Sequence, residues 1–206
     1  MKFIPVVLLV FCAIFAAGQV EIESVFSLYW EDLRFPATTQ TRPGSAANIT
    51  SDTGDVGLVF ETDAIVGIDW VVFNIQMPHG YRFGSEIEPH IHWIQSESNI
   101  PNWMLEYRCY DNGEVVPGGA FTQAIWSSNE ETYTSGSILQ YTEFPGFDPV
   151  LSKLSGMCDM KLYRDTDNTS TLFPGVDPFT TDVLLKEFDI HYQSDSLGSA
   201  TEGSKW

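Results

Sequence analysis

The sequence predicts an all-β protein, an antiparallel β-sandwich of the jelly-roll type in a single domain. Three observations predict it. No stretch carries the 3.6-residue apolar period of an amphipathic helix, whereas about eight short aromatic and β-branched runs do recur. Gly, Pro, Asn and Asp punctuate those runs, as turns between strands require. The chain of 206 residues, 43% hydrophobic and 14% aromatic, is long enough to fill one core and short for two.

In chain order, residues 1–18 come first as a secretory leader. One Lys precedes an apolar run from Ile4 to Ala17, and Ala16-Ala17-Gly18 offers a small-residue cleavage site. That run falls short of the roughly 20 residues a membrane span needs. The folded domain is then expected over 19–206, with an N-terminal arm at Gln19–Leu28 and a polar loop at Thr38–Gly54. Strands are expected at Val20–Leu28, Val56–Glu61, Asp69–Met77, Ile87–Gln95, Trp103–Tyr110, Ile138–Phe144, Met157–Arg164 and Val183–Gln193. The last residues, SDSLGSATEGSKW, read as an extended tail.

Alternation along a strand assigns faces. Trp103, Leu105, Tyr107 and Cys109 share one side, and Cys158, Met160 and Leu162 share another. Both cysteines therefore face a core. With Cys12 in the leader, the even remainder predicts a Cys109–Cys158 disulfide, between neighbouring strands or across the sandwich. Asn48-Ile49-Thr50 and Asn168-Thr169-Ser170 are N-glycosylation sequons in polar stretches. A leader, a disulfide and sequons together point to a secreted glycoprotein.

The formal net charge of −18 excludes nucleic acid and anionic membrane surfaces as partners and favours cations. The stretch PHGYRFGSEIEPHIHW concentrates three of the four histidines. Ile91 and Trp93 point one way, His90 and His92 the other. In the last strand Phe188, Ile190 and Tyr192 oppose Asp189, His191 and Gln193. The strand histidines thus lie on the face turned away from the core. Gly84, His90, His92 and Glu97 have the spacing G-x5-H-x-H-x4-E, which resembles the first half of the cupin metal motif. Two histidines at i and i+2 can reach one ion, with a carboxylate such as Glu97 and a further ligand such as His191 completing the set. The Gly that follows in cupins and their second motif are absent, and cupins hold the metal inside the barrel. The structural alternatives are histidines paired with Glu88 or Asp189, or a structural divalent ion on the strand. His79 is expected to stabilise its own Pro78-His79-Gly80 turn. Arg164-Asp165-Thr166-Asp167-Asn168 has alternating oxygen ligands, without the Gly and distal Glu of a Ca²⁺ loop, and reads as a solvated turn. No nucleophile elbow, P-loop or dinucleotide fingerprint is present, so no cofactor and no catalytic residue is expected.

Read together, Trp30-Glu31-Asp32-Leu33, Pro78-His79-Gly80, Pro89-His90-Ile91-His92-Trp93, Trp103 with Glu106-Tyr107, and Asp189-Ile190-His191-Tyr192 with Asp195, Gly198-Ser199, Glu202 and Lys205 form a familiar series. The set resembles largely uncharacterised proteins of tailed bacteriophages and environmental viruses. The resemblance implies a virion-associated or structural β-protein rather than an enzyme. The leader and sequons depart from what assembly in a bacterial cytoplasm requires. The expectation is a secreted, non-enzymatic protein that assembles with itself into an oligomer or filament, its arms pairing with a neighbour's sheet edge. The alternatives are a glycan-binding module using its six Trp and eight Tyr, and a cupin-like metalloenzyme.

Overall fold

A computed structural model describes residues 29–37, 56–61, 68–95, 99–118, 121, 123–126, 138–165 and 181–195. Nine strands run through them: β1 (Tyr29–Pro36), β2 (Leu58–Phe60), β3 (Ile68–Gln76), β4 (Ile87–Gln95), β5 (Trp103–Tyr110), β6 (Gln123–Trp126), β7 (Ile138–Glu143), β8 (Met157–Asp165) and β9 (Val183–Ser194). One sheet has the order β1-β9-β4-β7, with β2 also on β9, and the other the order β3-β8-β5-β6. All pairings are antiparallel, and β2–β9, β3–β8, β4–β7 and β5–β6 nest about the β5–β6 hairpin. The protein is therefore an all-β sandwich of two antiparallel sheets.

The inward faces are those that alternation assigns. Trp103, Leu105, Cys158, Met160, Leu162, Phe188 and Ile190 are fully buried. The sheets meet through aromatic rings, with Phe73 stacked on Phe188 at 4.5 Å and Phe60 edge-on to Trp103 at 5.1 Å. Each fully buried side chain of this size contributes about 1.5–3 kcal/mol, whereas an exposed ion pair contributes about 0–1 kcal/mol. The aromatic interlayer therefore holds the sandwich together.

A β-bulge keeps β9 in phase. His92 opposes Glu187 while Trp93 opposes Leu185, so Lys186 is the extra residue. Val183 and Leu185 face the core before it, and Phe188, Ile190 and Tyr192 after it. β1 and β2 lie end to end along one edge of β9. Gly57 makes the second of these possible, because a Cβ there would lie 2.5 Å from the Leu185 carbonyl oxygen.

Cys109 and Cys158 form the expected disulfide, as directly opposed residues of β5 and β8 with Cα atoms 4.1 Å apart. It closes a 49-residue separation, which in the chain-entropy account is worth about 4 kcal/mol.

Two strands were not anticipated. β1 carries only Glu31, Leu33 and Phe35 inward, all half-buried, and β6 is four residues long. The leader, the expected strand Val20–Leu28, the loop Thr38–Gly54, both sequons (Asn48 and Asn168) and most of the tail lie outside the described residues. Arg164 departs from the solvated turn expected of its stretch. It ends the core-lined part of β8 fully buried, donating to the carbonyls of Phe60 and Thr181 and so tying the two sheets together.

Candidate histidine and aspartate site

Antiparallel register brings separate strands into rows on the outward face of the first sheet. Arg34, Asp189, His90 and Glu143 form one row across β1, β9, β4 and β7. On one side of it lie Glu187, His92 and Tyr141, and on the other Asp32, His191 and Glu88. The alternation that points Ile91, Trp93, Phe188 and Ile190 into the core therefore collects His90, His92 and His191 on the face that carries Asp189.

Asp189 is the centre. Its Oδ2 lies 3.3 Å from Nε2 of His90 and 3.3 Å from Nε2 of His92. A ligand atom from each of the three residues lies within 4.8 Å of the others. His90 and Asp189 are each only 4% exposed, although they belong to the outward face. The His191 ring, 4.4 Å from that of His90, and the Tyr141 ring, 5.0 Å away, cover them. His92 is half-buried.

The polar groups of this centre are incompletely matched. His90 Nδ1 and Asp189 Oδ1 are buried and have no hydrogen-bond partner among the described residues. Arg34 Nε comes within 4.0 Å of Asp189 Oδ1, but its guanidinium is committed to Glu187 at 2.5 Å and is 62% exposed. The hydrogen bond and charge of Glu187, followed by the charge of Asp189, raise the Arg34 pKa above its ordinary value. His191 is turned to another carboxylate, its Nε2 lying 3.0 Å from Asp32 Oδ1.

A cleft of about 260 Å³ opens beside the cluster, lined by Glu88, Pro89, His90, Tyr141, Glu143, Phe144, Pro145, Gly146 and His191. The Tyr141 hydroxyl donates to Glu143 at its rim. Imidazoles, carboxylates and a phenol in one half-open recess form an environment for cations or for hydrogen-bonding polar molecules.

Of the metal-ligating residues anticipated from sequence, His90 and His92 come together. His191 is adjacent and bonded to Asp32, and Glu97 lies outside the described residues. The carboxylate that joins the two histidines is Asp189, which sequence pattern offered only as a pairing partner. Its face was legible, but the β4–β9 register that sets it opposite His90 was not. Tyr141 and Glu143 carried no sequence signal. His79 lies elsewhere, and its Nε2 contacts Ser155 Oγ at 3.1 Å, joining its turn to a distant one.

No protein-family model matches the chain, and no curated protein matches it. Among the described residues, no helix is long and apolar enough to cross a membrane.

Proposed function

We propose that this chain is a secreted, non-enzymatic structural protein that assembles with copies of itself into an extracellular oligomer or filament. The observation that carries this reading is the unlike character of the two edges of the β1-β9-β4-β7 sheet. β1 begins with Tyr29 and Trp30, which are 42% and 47% exposed, and β7 presents Leu139, which is 57% exposed. Among the described residues β1 pairs only with β9, and β7 only with β4. A sheet edge that carries exposed apolar side chains is a template for another strand. When the two edges differ, their contact is head-to-tail, and head-to-tail contacts that do not close produce filaments.

The nested strand pairing supports reading the sandwich as a jelly roll. The disulfide accords with an oxidising, extracellular compartment. The test is sedimentation of the mature protein over a wide concentration range, with electron microscopy of the same material. Multimers are expected, and Leu139→Glu and Trp30→Glu should each shift them towards monomer. A protein that stays monomeric at every concentration, with and without divalent cations, rules the reading out.

A further inference from the structure

We propose that His90, His92 and Asp189 bind one divalent transition-metal ion of the zinc class, on the outward face of the first sheet and at the margin of the Glu88–Glu143 cleft. The inference is independent of the assembly reading. Three features of the trio carry it.

The first is distance. A charge-assisted N–H···O bond settles at about 2.7–2.9 Å, yet both histidine nitrogens stand 3.3 Å from the same Asp189 oxygen. A tetrahedral ion with ligands at about 2.0–2.1 Å has ligand–ligand edges of about 3.3–3.4 Å. One ring nitrogen of each imidazole lies within 4.8 Å of the other, so closing on such an ion requires side-chain rotation that shortens this one remaining edge. The second feature is the unsatisfied oxygen. Asp189 Oδ1 is buried with no hydrogen-bond donor among the described residues and with the exposed Arg34 Nε no nearer than 4.0 Å, an expensive situation in a folded protein. A cation between the histidine nitrogens and Oδ2 offsets the buried negative charge of the whole carboxylate, and bidentate coordination would bring Oδ1 onto the ion as well; His90 Nδ1 keeps its own deficit whether or not an ion binds.

The third feature is ligand chemistry. Two imidazoles and one carboxylate select Zn²⁺, Co²⁺, Ni²⁺, Cu²⁺ or Fe²⁺ over Ca²⁺ and Mg²⁺, which take oxygen ligands. The net charge of −18 raises the local concentration of any cation. Because His90 belongs both to the trio and to the lining of the cleft, the ion borders that cleft. Three protein ligands leave a coordination position for water or for a carboxylate or hydroxyl group of a bound molecule.

The experiment uses the whole folded protein, stripped with a chelator and dialysed, and titrated with Zn²⁺ by calorimetry while thermal unfolding is followed. One Zn²⁺ per chain is expected, with a rise in melting temperature, and Co²⁺ should give the intense visible absorption of a tetrahedral site. His92→Gln, at a half-buried position, should weaken Zn²⁺ by about 100-fold or more, exceeding the 10–100-fold cost of losing an outer-shell partner. Asp189→Asn should do the same, and His92→Gln decides the matter if Asp189→Asn does not fold. His79→Ala, which removes a histidine remote from the trio, should leave the affinity unchanged. Absence of stoichiometric Zn²⁺ binding, equal binding by His92→Gln, or displacement of Zn²⁺ by equimolar Ca²⁺ would each overturn the assignment. Failure of assembly in the sedimentation experiment leaves it untouched.

Discussion

Asp159 and Asp189 occupy equivalent places in the two sheets and are treated differently. Each lies on a central strand, β8 or β9, on the outward face, and they are 3% and 4% exposed. Asp159 is fully served. Arg108 approaches its Oδ2 through Nε at 2.9 Å and Nη2 at 2.8 Å, while Asn74 and Tyr110 donate to Oδ1 at 2.7 and 3.2 Å. Arg108 is itself fixed by the Pro117 carbonyl and lies over the Phe121 ring. Asp189 has two histidine nitrogens at 3.3 Å on one oxygen, while the other has no hydrogen-bond donor among the described residues and the exposed Arg34 Nε 4.0 Å away. A buried carboxylate needs both a counter-charge and donors for its lone pairs. Among the described residues the first sheet gives its buried carboxylate longer and fewer contacts than the second gives Asp159, and that asymmetry is what the proposed metal site rests on.

The comparison breaks most visibly at Arg108. Arg108→Ala leaves Asp159 buried, among the described residues, with the neutral donors Asn74 and Tyr110. Removing one partner of a buried pair costs about 3–5 kcal/mol, and the 18% exposure of the Arg108 side chain places this one at the lower end. Urea unfolding at neutral pH should show a loss of about 3 kcal/mol. A loss below about 1 kcal/mol would place the pair among surface ion pairs and remove the contrast between the two aspartates.

A third aspartate separates the effect of donors from that of cations. Asp111 follows β5 and receives the Ser152 hydroxyl at 2.5 Å and the backbone N–H groups of Ser152 and Lys153 at 3.0–3.1 Å, anchoring the 148–156 segment. Burial pushes its pKa up, but the Ser152 hydroxyl, the two backbone donors and the Lys153 charge together hold it below the ordinary 3.8. A carboxyl whose folded pKa is depressed contributes stability that is fully present above its unfolded value and disappears as pH falls through the folded one. Asp111→Asn should therefore cost about 1–2 kcal/mol at pH 7, and the gap from the parent protein should narrow as pH drops below about 4. A gap that stays constant down to pH 2 would show that the charge of Asp111 is irrelevant to its role.

These contrasts also show what the sequence could disclose. The bounds of β4 and β5 followed from alternation alone, because their inward residues are large and their flanks carry turn residues. β1 escaped because Glu31 shares its inward face with Leu33 and Phe35, and β6 because four residues are too few to show a period. The histidine face was legible for the same reason as the core. The partner of His90 was not, since alternation fixes which side a residue occupies and says nothing of the neighbour it meets. Register, here including the bulge at Lys186, decides that Asp189 rather than Glu187 or His191 stands opposite His90. Arg164 misleads in the other direction. Its polar sequence neighbours suggest solvent, yet the carbonyls of Phe60 and Thr181 accept its guanidinium N–H groups inside the protein.

The smallest expected effect is the most informative. Asp189→Asn removes a charge that the metal-free protein leaves half-matched, and the amide can still bond to either histidine. In chelator-treated protein the change in stability should lie within about 1 kcal/mol, the range for a single net hydrogen bond and well under the loss at Arg108. With Zn²⁺ present the parent protein should gain stability by mass action, about 2.7 kcal/mol at a free concentration 100 times the dissociation constant, and Asp189→Asn should gain almost none. The two unfolding curves, nearly superimposed without metal, should then separate. If Asp189→Asn instead destabilises the metal-free protein as severely as Arg108→Ala, Asp189 is a structural counter-ion to its histidines and the two sheets are alike after all.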